Sequence, residues 1–148
     1  MFYQMITNAR DRWFASSECS AKGIIAYIEK ANQMRDAQVD AIKTYLFLKI
    51  GCDCAPLAKL FCQGAFNTLD LEQEELSAKT RAFLLNYPAA AALFEYTRLK
   101  NDVGEQVSEK LERQIRKDPE SIDYEDFFQS AFYGVSYTDY LFSLPMGA

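Results

Sequence analysis

The chain has 148 residues, 49% of them hydrophobic and 25% charged, which is the balance of one ordinary globular domain and excludes a wholly disordered chain. Its 6 glycines and 4 prolines follow no period, which excludes collagen-like and low-complexity architectures. The formal net charge of −5 argues against nonspecific nucleic-acid binding, which depends on neutralising phosphates with Lys and Arg.

The longest strongly apolar stretch, Tyr45 to Ile50, contains Lys49 and falls far short of the roughly 20 residues that span a bilayer. No membrane partner is therefore expected. No cationic start leads into an apolar run, so a secretory signal is not expected either, and the expected location is cytoplasmic. There the four cysteines, Cys19, Cys52, Cys54 and Cys62, are expected as reduced thiols. The spacing Cys52-x-Cys54-x7-Cys62 does not match a zinc knuckle pair, and the chain contains 0 His, so these residues read as small buried apolar side chains and no metal site is expected. Without histidine, a Ser-His-Asp or Cys-His nucleophile system is impossible within this chain, and no catalytic residue is assigned.

In chain order, Ser20 is a candidate N-cap for a helix over 21–28, with Ile24, Ile25 and Ile28 on one face. A second helix is predicted from Met34 or Arg35 to Ile50, with Val39, Ile42, Leu46 and Ile50 on one side and Gly51 ending it. Its nearly all-round apolar surface marks a central core helix. A short helix follows over 56–62 with Pro56 near its first turn, then an acidic loop over 64–75. A helix restarts at Leu76 or Ser77 and breaks at Asn86-Tyr87-Pro88, where Pro88 opens the next one through the run Ala89 to Ala92.

Val103, Val107, Leu111 and Ile115 recur every four residues as one helical stripe, with Glu109–Arg113 and Glu112–Arg116 as favourable pairs on other faces. Asp118-Pro119 stops that helix, and Asp123 caps the last one, whose first turn holds Glu125 and Asp126 and whose end is Gly134. Capping accounts for several of the carboxylates Asp118, Glu120, Asp123, Glu125 and Asp126, which lack the glycine-centred loop of an EF-hand. The 14% aromatic content follows helix faces without interleaved basic residues and reads as core. The last segment, 135–144, is rich in β-branched and aromatic residues and is the strand candidate. The expected fold class is thus mainly α, a multi-helix bundle with one C-terminal β-strand that leads into an incomplete phosphate loop.

Two segments carry a family resemblance. Leu141-Phe142-Ser143-Leu144-Pro145-Met146-Gly147-Ala148 resembles the strand and first half of the phosphate loop (Walker A) of superfamily II helicases. Arg35-Asp36-Ala37-Gln38-Val39-Asp40-Ala41-Ile42 resembles the glutamine-containing entry motif of DEAD/DEAH-box helicases and of type I/III restriction-subunit ATPases. The resemblance implies that Gln38 reads the adenine edge with its carboxamide, that Arg35 helps to position the base, and that Pro145, Met146, Gly147 and Ala148 approach the phosphates. In such a loop backbone N–H groups wrap the phosphates, a lysine meets the β/γ phosphates and a hydroxyl holds magnesium. The sequence stops before that lysine and hydroxyl, and 109 residues separate Gln38 from Gly147, which implies a helical insertion between them.

By this resemblance, residues 1–134 are a helical accessory region and residues 135–148 the first strand and truncated phosphate loop of a motor core. ATP, magnesium and DNA or RNA belong to the parent protein, an ATP-dependent helicase, and none is expected for this chain alone, which should not hydrolyse ATP. The alternative is a stand-alone helical protein–protein interaction module that forms a homo-oligomer through its C-terminal strand.

Overall fold

The computed structural model describes residues 2–133. Eight α-helices occur among them: α1 (Phe2–Ala15), α2 (Lys22–Ala31), α3 (Asp36–Leu46), α4 (Leu57–Cys62), α5 (Ala78–Asn86), α6 (Pro88–Arg98), α7 (Glu109–Lys117) and α8 (Tyr124–Ala131). Single 3-10 turns lie at Leu71–Gln73 and Pro119–Ser121. The mainly α class is as expected; its β part is corrected. Among the described residues there is no strand, only one isolated antiparallel bridge between Lys100 and Gln106. The bundle there presents no sheet edge on which a strand could satisfy its N–H and C=O groups. The segment 135–144 expected as a strand, Gly134 as a helix end, and Pro145 to Ala148 lie outside the described residues.

Helix α6 is the hub, packed against α4, α5, α7 and α8, while α1 and α2 lie on α3. Its alanines let neighbouring helices come close: Ala90 and Ala92 are fully buried, beside Leu93 and Phe94. One apolar cluster runs from Met5 and Ile6 of α1 through Phe61 of α4 to Ile115 of α7 and Phe128 of α8. Arg98 and Arg116 hold their guanidinium carbons 5.6 and 5.3 Å from the Phe94 ring centre, and both pair with Glu112. Burial works against the Glu112 charge, yet hydrogen bonds from Gln106 and Arg116 and the nearby Arg charges outweigh it and hold the carboxyl below its ordinary range.

Several helix ends match the expectations. Ser77 accepts from Thr80 N–H at 3.2 Å and Asp123 from Asp126 N–H at 3.0 Å. Pro56 precedes α4 and Pro88 opens α6, and the Glu109–Arg113 and Glu112–Arg116 pairs form at 3.0 and 2.9 Å. Other expectations fail. Ser20 does not cap α2, whose N-cap is Ala21 with no side-chain hydrogen bond. Helix α7 starts only after Ser108, which accepts from Leu111 N–H at 3.2 Å. Val103 is therefore not on its stripe but 77% exposed in the preceding loop, because Asn101 Oδ1 accepts from Val103 and Glu105 N–H and closes a turn there.

The α3 stripe also moves. The helix continues as a π-helical turn over Phe47–Gly51, where Cys52 N–H reaches back to Phe47 O at 2.9 Å. The buried face runs through Thr44, Phe47 and Leu48 at ordinary helical spacing, so Ile42 and Leu46 are only half-buried and Ile50, inside the π-helical turn, is left 46% exposed. No helix among the described residues is long and apolar enough to cross a membrane.

Candidate functional site

Arg35 and Gln38 meet at the start of α3. Arg35 is the N-cap, with extended backbone (φ −77°, ψ 156°). Gln38 Oε1 accepts from Arg35 N–H at 2.9 Å, the reaching-back half of a capping box; an arginine side chain has no acceptor with which to return the bond. Gln38 is half-buried and Arg35 exposed. The structure thus brings these two predicted residues together and gives the carboxamide oxygen a local partner. Pro145, Met146, Gly147 and Ala148 lie outside the described residues.

Beside this turn, α2 and α3 enclose a cleft of about 350 Å³ with Met34 and Val39 as its apolar part. Its carboxylates are largely neutralised. Glu29 pairs with Lys43 at 3.1 Å and Asp40 with Arg10 at 2.9 Å. Asp36 also lines the space, whereas neither Arg35 nor Gln38 does, so the predicted pair and the cleft are neighbours and not one site.

Arg10 is the residue that sequence reasoning missed. It is 5% exposed on α1 and donates to Asp11 Oδ1 at 2.9 Å, Thr44 Oγ1 at 3.0 Å and Asp40 O at 3.3 Å. Burial lowers its pKa, but the Asp40 and Asp11 carboxylates more than offset this and raise it. Arg10 thereby ties the middle and last turns of α3, at Asp40 and Thr44, to α1. The signal available was a charge among Met5, Ile6, Ala9 and Trp13, an apolar helix face in a segment where no helix was assigned.

The cysteines are free thiols. Cys19 and Cys52 are buried as expected; Cys54 and Cys62 are only half-buried. Among the described residues no three His, Cys, Asp or Glu side chains converge in a metal-holding group. Burial pushes the Cys52 thiol from 9.0 up to about 12. At pH 8 its thiolate fraction is then about a thousandfold below that of an unperturbed thiol. Iodoacetamide is expected to spare Cys52 in the native protein and to label it readily in urea, as peptide mass mapping would show. A folded-state pKa above the unfolded one means that the associated stability is complete below pH 9.0 and declines as pH rises toward about 12.

No family model matches the chain, and no curated protein or solved structure matches it.

Proposed function

We propose that the chain is the helical accessory region of a larger nucleic-acid-dependent ATPase of the DEAD/DEAH kind, and that Arg35 and Gln38 are its contribution to adenine recognition. The observation that carries this reading is the placement of Gln38. Its side chain is fixed at the exposed start of α3 by the Oε1 bond to Arg35 N–H, and that helix is braced by the buried Arg10. A carboxamide held in this way needs only to exchange its oxygen's partner to make a two-point contact with a base edge. By the same resemblance, triphosphate and magnesium binding belong to the motor core, with DNA or RNA as the substrate moved. Phosphoryl transfer rests on positioning and charge neutralisation, and this chain alone is assigned no ATPase activity.

Under this reading α2 faces the motor. Only Ile25 of that helix is buried, while Ile24 is 51% and Tyr27 75% exposed. The same face favours the second reading, a helical interaction module. Pairing through a C-terminal strand has no support among the described residues and is dropped.

In the complete ATPase, Gln38→Ala is expected to raise KM for ATP about tenfold, the loss of one bidentate base contact, with kcat little changed. In this chain alone it should cost about 1 kcal/mol of stability through the lost cap. An unchanged KM, or a gene whose codons after Ala148 encode no Gly-Lys-Thr or Gly-Lys-Ser, would overturn the proposal and leave the interaction module.

A further inference from the structure

We propose that the cleft beside Trp13 is a binding site for an unpaired nucleobase. It lies at the far end of α3 from Arg35. Gly51 follows Asp36 by 15 residues, or about 22 Å along the helix axis, so this inference does not rest on the adenine reading of Gln38. The cleft holds about 590 Å³, within the range of small-molecule sites.

Trp13 is clamped on one side. A Cβ at Gly51 would lie 3.0 Å from Trp13 Cε2 and 3.2 Å from Cδ2, so only glycine lets the backbone come this close. Phe47 stands 5.7 Å away, tilted by 46°. The indole is therefore held rigid, half-buried, with its uncovered part lining the cleft. A pre-positioned aromatic ring is a stacking platform for a flat π-system.

The polar groups around it narrow the class of ligand. Asn67 Nδ2 donates to Pro88 O at 3.1 Å, while its Oδ1 is buried without a donor. A buried acceptor left unpaired is uncommon and calls for an explanation. Asn67 lines the cleft, and its carboxamide, turned outward from Pro88 O, presents a donor and an acceptor that match the donor–acceptor edge of adenine. Arg12 is anchored by one nitrogen on Thr68 O at 3.0 Å, which leaves the rest of its exposed guanidinium at the rim for a single phosphate. Glu18 and Asp53 also line the cleft and disfavour a polyphosphate. Part of the wall is unusual backbone: Phe47 and Gly51 of the π-helical turn, then Asp53 at φ 54°. Such conformations are costly and concentrate at functional sites.

Trp13 is the single tryptophan of the chain, so its fluorescence reads the site directly. The chain would be titrated with AMP, a short oligo-dA and ribose 5-phosphate, with excitation at the red edge of the indole band. Saturable quenching by AMP or oligo-dA, and none by ribose 5-phosphate, is the expected result. Tighter quenching by the oligonucleotide identifies a single strand as the source, and quenching by AMP alone a free nucleotide. Ala65→Phe fills the cleft from an exposed position and should weaken quenching at least about tenfold, with circular dichroism unchanged. Gln38→Ala should leave quenching as it is, so this site and the Gln38 reading fail separately. Absence of saturable quenching, or equal quenching in a folded Ala65→Phe variant, overturns the proposal.

Discussion

Phe61→Ala should lower the unfolding free energy by about 3–5 kcal/mol, read from urea denaturation followed by circular dichroism. Phe61 is fully buried and sits where α1, α4 and α8 meet. Its ring centre lies 5.2 Å from Phe128 and 5.2 Å from Phe132, both nearly parallel at 15°, and 4.8 and 5.3 Å from Phe66 and Phe2 in edge-on contacts. Truncation therefore removes a large apolar area and several ring pairs, each worth roughly 0.5–1.5 kcal/mol beyond burial, and leaves a cavity between rigid helices. The host helix magnifies the effect. Helix α4 has 6 residues, too few to persist without tertiary packing, so the loss extends to how α4 seats on α8 and α6. Leu85→Ala, at a position 53% exposed, should change stability by no more than about 0.5 kcal/mol. A loss below about 1 kcal/mol for Phe61→Ala would mean that α4 is not part of the core.

What could be read from the sequence divides along physical lines. Punctuation was legible: Pro88, Ser77 and Asp123 act through their own backbone and side-chain chemistry, which needs no knowledge of the rest of the fold. Phase was not. The Val39–Ile42–Leu46–Ile50 stripe picks the wrong face, because the face that is buried contains the polar Thr44 beside Phe47 and Leu48 and a hydroxyl hides the apolar period. Hydrogen bonds in the loop before α7 similarly take Val103 and Val107 off the predicted stripe, of which only Leu111 and Ile115 lie on the helix. At the candidate site, Arg35 and Gln38 were singled out by the resemblance of residues 35–42 to a helicase entry motif, and the cap in which they meet is what the structure adds. Arg10 was missed because its partners Asp40 and Thr44 come from another helix. The Trp13 cleft depends on residues as distant as Gly51 and Asn67, and a lone tryptophan announces no such grouping.

Glu95→Ala is the second large effect, about 2–4 kcal/mol, and its reach is local. An acid within the run Leu93-Phe94-Glu95-Tyr96 would ordinarily be excluded from a core, and Glu95 is 6% exposed. It is retained because its carboxylate gathers the loop after α4. Thr68 Oγ1 donates to Oε1 at 2.7 Å, and Thr68 and Leu69 N–H donate to Oε2 at 3.0 and 3.3 Å. Alanine leaves those donors without an acceptor, and hydrogen bonds to a charged group contribute more than neutral ones. Glu95→Gln keeps one acceptor but turns an NH2 toward a donor, so an intermediate loss of about 1–2 kcal/mol is expected. Because Thr68 and Asn67 also line the Trp13 cleft, the alanine variant should shift Trp13 emission and expose the Leu69 amide to hydrogen exchange, while amides in the centre of α6 stay protected. Retained protection at Leu69 would show that the loop is held by its own turn rather than by Glu95.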